Sequence, residues 1–317
     1  MIKVDLITGF LGSGKTTFMK RYAEHWLGKG QKIGILINDH GAVNVDMLLL
    51  RELEGERCGL DMVAGACDAD CHRRRFKTKL IAMGMSGFDR VLIEPSGVFD
   101  VDEFFDVLYE PPLDRWYEIG SVIAVVNADL EEALGESAEY LLASQAADAG
   151  VIVLSKTQLC GEEQIEKTIE HIDRALDSIK CRRSVRGSVI AKDWSSLDDA
   201  DFQRIADSGY LSEGYVKRGS TDSSGFSSLY YMNGNYSPGE LAEKAAAVLN
   251  DPACGNVFRV KGFARDGEGW VELNAAKSGV LLTPIEFGQE IVIVIGEALC
   301  AAEINKIFNI RRLENEV

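Results

Sequence analysis

The nine residues GFLGSGKTT, at positions 9–17, constrain the fold more than any other part of the chain. They satisfy the pattern G-x-x-x-x-G-K-[ST] of a phosphate-binding loop. An apolar run at residues 2–8 predicts a buried strand before the loop, and residues 18–27 predict a helix after it that ends near Gly28 or Gly30. A glycine-rich turn that matches by chance is the alternative, and the flanking strand and helix argue against it.

The order of strand, loop and helix explains how such a segment would hold phosphates. Glycines let several backbone N–H groups point at one phosphate chain, and the helix N-terminus adds partial positive charge. Lys15 would reach the terminal phosphates, and the Thr16 hydroxyl would bind Mg²⁺, which prefers oxygen ligands. The predicted phosphate-binding residues are Gly9, Gly12, Ser13, Gly14, Lys15, Thr16 and Thr17.

Length and charge limit the classes of protein that this chain can be. With 317 residues and 46% hydrophobic content, it is long enough for a large domain and a smaller one, predicted at residues 1–222 and 223–317. The net charge of −16 argues against nucleic acid or an anionic membrane as the main partner.

The N-terminal residues show no cleavable leader pattern, and the apolar run at residues 291–295 is too short to span a bilayer. Seven cysteines, an odd number, favour reduced thiols, so we expect a soluble cytoplasmic protein.

Apolar runs alternate with helical patterns through the first half of the chain. The runs at residues 33–37, 91–93, 122–126 and 151–154 predict strands that are covered on both faces. This alternation predicts an α/β fold with a doubly wound, mainly parallel sheet. Further predicted elements of this domain are a helix at residues 165–179 and a last strand at 184–190.

The remainder of the chain has a different pattern. Residues 194–224 mix Asp, Ser, Gly and isolated aromatics, which predicts an irregular connector. A second, α+β unit is then predicted, with strands at 229–232, 257–263, 269–274 and 291–296 and helices at 237–249 and 301–308.

Polar segments follow three of the predicted strands, where ligands of doubly wound sheets bind. They are Asn-Asp-His-Gly at 38–41, Glu-Pro-Ser-Gly at 94–97 and Ser-Lys-Thr-Gln at 155–158. Glu94 could hold a Mg²⁺-bound water while the Gly97 N–H faces the γ-phosphate, or it could be an ordinary carboxylate at a strand end. Asp39 could complete the metal coordination or orient the attacking water, but surface loops carry many aspartates, so both interpretations stay open.

Together, residues 7–17, 38–39, 94–97 and 145–159 resemble the CobW family of P-loop GTPases, which includes relatives of the urease and hydrogenase maturation GTPases. Residues 257–263 resemble the start of that family's C-terminal domain. The resemblance implies a metallochaperone-like GTPase that uses Mg²⁺ and couples hydrolysis of GTP, or of ATP, to delivery of a metal or metal cofactor. The implied partner is a client metalloprotein.

The base-recognition motif departs from the family pattern. The family has Asn-Lys-x-Asp where this chain has Ser155, Lys156, Thr157 and Gln158. An aspartate accepts hydrogen bonds from both guanine N1–H and the 2-amino group, whereas Gln158 offers one carbonyl oxygen and a competing donor. We therefore expect a weakened guanine preference, while the Lys156 stem can still pack along the plane of the base.

The cysteine motif also departs from the family's Gly-Cys-x-Cys-Cys. Here Cys67 and Cys71 are four residues apart and His72 follows, a set that suits Zn²⁺ or a similar ion if the stretch is helical. Two partly buried thiols that bind no metal are an equal alternative. Cys58 is a further candidate ligand. The four histidines are isolated from one another, so the family's histidine-rich storage tract is absent.

Two other classes of function stay open from the sequence alone. A P-loop phosphotransferase would need an acceptor-recognition site in the C-terminal unit, and no signature of one is visible. A nucleotide-gated adaptor would bind nucleotide, hydrolyse little and assemble a client complex.

Overall fold

The structure is a computed structural model that describes residues 1–10, 12–39, 46–64, 69–95, 101–131, 134–211, 226–232, 234–277, 279–285 and 288–308. The chain divides into two compact units, Met1–Gly219 and Ser220–Val317. The predicted domain boundary, between residues 222 and 223, lies outside the described residues.

The first unit is built on a seven-stranded parallel sheet with helices on both faces. Its strands are β1 Ile2–Thr8, β2 Ile33–Asp39, β3 Cys58–Ala64, β4 Arg90–Pro95, β5 Tyr117–Asn127, β6 Val151–Ser155 and β7 Val189–Ile190. Its helices are α1 Lys15–Gly28, α2 Asp46–Leu50, α3 Ala69–Met85, α4 Val101–Leu108, α5 Leu113–Trp116, α6 Glu136–Asp148, α7 Glu162–Ser178 and α8 Asp199–Ala206. The strand order is β3-β2-β4-β1-β5-β6-β7, and every pairing is parallel.

Alternate residues of the central strands bury against opposite layers of helices. In β4, Val91 and Ile93 belong to one apolar cluster, and Leu92 belongs to the other. Both faces of the sheet are therefore covered, which is why these strands are continuous apolar runs in the sequence. The predicted doubly wound fold is confirmed.

The second unit is an antiparallel sheet with two helices. Its strands are β8 Phe226–Met232, β9 Asn256–Asp266, β10 Gly269–Ala276, β11 Gly279–Ile285 and β12 Ile291–Glu297, in the order β11-β10-β9-β12-β8. Its helices are α9 Pro238–Asn250 and α10 Ala301–Phe308. A capping box formed by Ser237 and Glu240 fixes the start of α9. This is the predicted α+β unit.

Three segments of the first unit differ from the sequence-based expectation. The strand β3 was not among the predicted strands. Within the predicted strand at 184–190, only Val189–Ile190 is extended, and Arg186–Ser188 forms a 3₁₀ turn. The predicted connector contains α8, which begins at a capping box made by Asp198 and Asp201 and buries Phe202 against the core. The segment is helical because its few apolar residues lie on one face of the helix. Over only eight residues this periodicity is too weak to predict a helix from the sequence.

A buried charged group joins β1 to α1 and β4. Asp5 is fully buried, and it accepts hydrogen bonds from Arg90, from the Tyr22 hydroxyl at 3.0 Å and from the Ser121 N–H at 2.9 Å. Burial raises the pKa of Asp5, and the nearby Arg90 guanidinium opposes that shift. The Arg90 guanidinium also lies 4.3 Å from the centre of the Trp26 ring.

We expect Arg90→Ala to lower the free energy of unfolding by about 3 to 5 kcal/mol, because it leaves a buried carboxylate without its cation. Denaturant unfolding followed by circular dichroism measures the loss. Arg115→Ala is the matched control, since Arg115 is exposed on α5. A loss for Arg90→Ala no larger than that of the control would contradict the proposed importance of this group.

Candidate functional site

The phosphate loop lies between β1 and α1, at the carboxyl edge of the sheet. Gly9 has a φ of 146°, and a Cβ at this position would lie only 2.2 Å from the Val125 carbonyl oxygen. A side chain would therefore push the loop off β5. Gly14 is left-handed, with a φ of 99°, and its carbonyl accepts the Phe18 N–H at 2.9 Å, which begins α1. Leu11 lies outside the described residues.

Three side chains with predicted roles at the phosphate end lie on this edge. The Lys15 ammonium donates to the Phe10 carbonyl oxygen at 3.4 Å, so the side chain folds back over the loop. The Thr16 hydroxyl donates to Glu94 Oε1 at 2.9 Å, although the two residues are 78 apart in sequence. Both Thr16 and Glu94 are buried, at 7% and 4% exposure. They meet because β4, which carries Glu94, is paired to β1, and α1 begins directly after the loop that follows β1.

Several buried hydroxyl groups lie in or next to the phosphate loop and in the base-recognition segment. Among the described residues, no hydrogen-bond partner lies near the side-chain oxygens of Thr8, Ser13, Ser155 and Thr157. A buried hydroxyl without a partner carries a desolvation cost, so these groups favour a site that binds a polar ligand. Ser13 and Ser155 were predicted from the motifs. Thr8 and Thr157 were not, although Thr8 directly precedes the loop and Thr157 lies within the base-recognition segment at 155–158.

The predicted base-recognition segment begins at the end of β6 and borders the phosphate loop. Ser155 is buried, and its Cβ would lie 3.6 Å from a Cβ placed on Gly14. Lys156 adopts a left-handed conformation with a φ of 58°, and Thr157–Leu159 forms a 3₁₀ turn in which Gln158 is exposed. The carboxyl end of β6 therefore lies beside the loop, although β5 lies between β6 and β1 in the sheet.

The sequence analysis missed one aromatic side chain at this edge, because it lies in the predicted connector. The Trp194 indole N–H donates to the Leu154 carbonyl oxygen at 2.9 Å, and its ring would contact a Cβ on Gly14 at 3.1 Å. Tryptophan in an otherwise polar, irregular segment was the available signal.

Other predicted residues are placed only in part. Asp39 is the last residue of β2 and pairs with Ala64, and the preceding register sets Ile37 beside Glu94. The backbone of Asp39 is thus at the carboxyl edge, while its side chain lies outside the described residues. Gly97 lies outside them as well. Their predicted roles stay predictions.

Part of the predicted thiol site lies within the described residues. Cys71 and His72 are in the first turn of α3, half-buried and buried respectively, whereas Cys67 lies outside the described residues. Within the described ranges, no three His, Cys, Asp or Glu side chains form a group able to hold a metal ion. The metal site that includes Cys67 stays a prediction.

Cys58 is placed at the opposite edge of the sheet. It begins β3, pairs with Ile33, and is separated from the carboxyl edge by seven residues of strand, roughly 20 Å. Burial, and then the Glu54 carboxylate, raise the pKa of the Cys58 thiol to about 11. A protonated thiol at the far edge is a poor partner for Cys71.

The sequence profile of the CobW/HypB/UreG nucleotide-binding domain matches residues 3–185, which include the phosphate loop, Glu94 and the segment after β6. The chain belongs to the CobW/HypB/UreG family. The match covers β1 from its second residue onward, all of β2 to β6, and not β7.

Individual relatives in this family are similar over part of their length. The zinc chaperone YjiA of Escherichia coli is 30% identical over 182 residues, which are 55% of this chain and 54% of that protein. The zinc chaperone YeiR of the same organism is 28% identical over 158 residues, 50% of this chain and 47% of that protein. The chain spans about half the length of these two relatives. A crystal structure of Zn(II)-bound YjiA GTPase from E. coli covers 98% of this chain at 20% identity, with a TM-score of 0.42.

The preference for GTP over ATP can be tested by substitutions in the base-recognition segment. Restoring the family pattern with Ser155→Asn and Gln158→Asp is expected to raise the preference for GTP over ATP about tenfold or more, because a carboxylate accepts two hydrogen bonds from guanine. Calorimetric affinities for non-hydrolysable GTP and ATP analogues measure the preference. Glu162→Gln, an exposed change at the start of α7, is the control. Unchanged discrimination would show that another segment recognises the base.

Proposed function

We propose that this chain is a Mg²⁺-dependent nucleoside triphosphatase, favouring GTP, that acts as a switch to deliver a metal ion to a client metalloprotein. The observation that carries the proposal is the Thr16–Glu94 pair at the phosphate loop. It joins the residue that follows the loop lysine to a carboxylate at the end of the neighbouring strand, which is the arrangement that positions Mg²⁺ and water in phosphate-loop enzymes.

The donor atoms fit Mg²⁺. A threonine hydroxyl and a carboxylate are hard oxygen ligands, and both lie in a buried position beside the loop. Thr16 would hold the metal directly, and Glu94 would bind it or one of its waters. When bound, Mg²⁺ would neutralise the charge that develops on the phosphates. Lys15 would supply a second positive charge from the protein, and the backbone N–H groups of the loop would fix the phosphate chain.

The metal cargo is proposed from the relatives and from the donor atoms near α3. YjiA and YeiR are named as zinc chaperones. Cys71 and His72 supply one thiol and one imidazole, donors that suit Zn²⁺. Cys67, four residues before Cys71, would supply a second thiol. Zinc is accordingly the proposed cargo, and a zinc-dependent protein the proposed client.

We propose that α3 and α4 couple the nucleotide site to the cargo site. Glu110 lies two residues beyond α4, the helix that follows the Glu94 segment. It binds Arg73 and Lys77 of α3, each at 2.6 Å. The helix that begins at the thiols is therefore held to the helix that begins beyond Glu94. These ion pairs are exposed and individually weak, but α3 and α4 also share one apolar cluster through Phe76 and Phe104.

The proposal predicts reciprocal coupling between cargo metal and nucleotide. We expect Zn²⁺ affinity to differ roughly 5- to 150-fold between the complexes with a non-hydrolysable GTP analogue and with GDP, and Zn²⁺ to change the nucleotide affinities by the same factor. Competition with a chromophoric chelator measures the first quantity, and calorimetry measures the second. The difference should vanish in Cys67→Ala/Cys71→Ala.

Cys181→Ala is the matched control, because Cys181 is buried elsewhere in the first unit. Equal Zn²⁺ affinity in both nucleotide states would contradict the switch, and an unchanged difference in the double variant would contradict the role of the two thiols.

We also propose the cytoplasm as the location of this protein. No helix in the described part of the chain is both long and apolar enough to cross a membrane. The six cysteines within that part are free thiols, as expected in a reducing compartment.

A further inference from the structure

We infer that Trp194 forms one wall of a slot for the purine ring, and that this wall binds guanine and adenine nucleotides alike. The inference rests on the proposed function and specifies its substrate class: purine nucleoside triphosphates held by stacking contacts, with limited discrimination between the two bases.

The Trp194 indole lies between the phosphate loop and the end of β6. The indole N–H donates to the carbonyl oxygen of Leu154, the residue directly before the base-recognition segment at 155–158. On the other side of the ring, Cη2 would lie 3.1 Å from a Cβ on Gly14 of the phosphate loop. The indole thus bridges the two segments that a nucleotide must contact at once. A nucleotide with its phosphates on the loop and its base at residues 155–158 would lie beside this ring.

The surroundings of the ring fix its orientation. Phe18 of α1 contacts it edge to face, with ring centroids 5.5 Å apart and an interplanar angle of 62°. Arg21, one turn further along α1, donates to the Trp194 carbonyl oxygen at 2.8 Å. Trp194 packs against the apolar cluster that contains Phe18, and the residue is half-buried, so its neighbours do not enclose it completely. A fixed, half-exposed aromatic ring loses little conformational entropy when it stacks on a ligand.

The chemistry of the ring determines what it can recognise. Its single hydrogen-bond donor already binds Leu154, so the indole has no polar group left to distinguish one base from another. What it offers is its π surface, and stacking of this kind tolerates every base. The Lys156 stem, from the end of the neighbouring strand, would cover the opposite face of the purine. Gln158 is neutral and exposed, so no charged group at this position enforces guanine.

The experiment separates the nucleoside contacts from the phosphate contacts. Affinities of the full chain for non-hydrolysable GTP and ATP analogues and for inorganic tripolyphosphate, all with Mg²⁺, are compared in wild type, Trp194→Leu and Trp194→Phe. We expect Trp194→Leu to weaken both nucleotide analogues about tenfold, by similar factors, and to leave tripolyphosphate affinity unchanged. Trp194→Phe, which keeps an aromatic ring, should lie between it and wild type. Trp270→Phe, on β10 of the second unit, is the control.

Three results would overturn the inference. A parallel loss of tripolyphosphate affinity in Trp194→Leu would mean that the indole only supports the phosphate loop. Unchanged nucleotide affinities would mean that the ring does not contact the base. Loss confined to the GTP analogue would mean that the wall distinguishes guanine. A wild-type protein that bound no nucleotide would instead contradict the proposed function itself, so the two failures are distinct.

Discussion

Replacement of Lys15 by alanine is expected to weaken binding of Mg²⁺-GTP by about 100-fold or more. Loss of one partner from a buried, charge-assisted contact costs roughly 2 to 5 kcal/mol. Lys15 is only 7% exposed, so the phosphates that it would meet have little water available to replace its charge. The expectation holds for ATP and for inorganic tripolyphosphate as well, since the lysine contacts phosphate oxygens and not the base. Calorimetry with non-hydrolysable analogues measures the change.

Lys20→Ala is the matched control for this substitution. Lys20 is also on α1, but it is partly exposed and forms a surface ion pair with Glu52, so its removal should leave nucleotide affinity nearly unchanged. Circular dichroism of both variants checks that α1 and the sheet remain folded. If Lys15→Ala bound the analogues as tightly as wild type, the phosphate loop would not be the nucleotide site.

Glu94→Gln is expected to slow nucleotide hydrolysis about 100-fold while binding changes much less. Glutamine keeps an oxygen that can accept the Thr16 hydroxyl, so the 2.9 Å contact and the local packing can persist. What is lost is the negative charge that would hold Mg²⁺ or its water in the transition state, and losses of this kind fall on turnover more than on ground-state affinity. Single-turnover phosphate release and analogue binding, measured together, separate the two effects.

Glu118→Gln serves as the control for charge alone, because Glu118 is exposed near the start of β5. Its turnover should match wild type. Equal turnover in Glu94→Gln and wild type would return Glu94 to the alternative of an ordinary carboxylate at a strand end. An equal loss of binding and turnover would instead indicate that Glu94 shapes the loop through Thr16.

The sequence predicted the elements whose signals are local. The strand, the loop and the helix around residues 9–17 follow from contiguous residues, and the central strands follow from apolar runs that need cover on both faces. The antiparallel second unit was predicted from the same kind of pattern, although β11 was not. Most residues of β11 are exposed, so it lacks the alternation that marks a half-buried strand.

Tertiary structure decided what depends on residues far apart in the chain. Thr16 and Glu94 meet because β4 lies beside β1, an order that no local pattern specifies. Trp194 reaches Gly14 because β7 pairs with β6 and turns the following segment back toward α1, whereas the sequence there indicates only an irregular connector. A motif can specify the conformation of its own backbone, since those dihedral preferences are local. Which side chains from other strands approach it is set by the packing of the whole sheet, where each pairing depends on all the others.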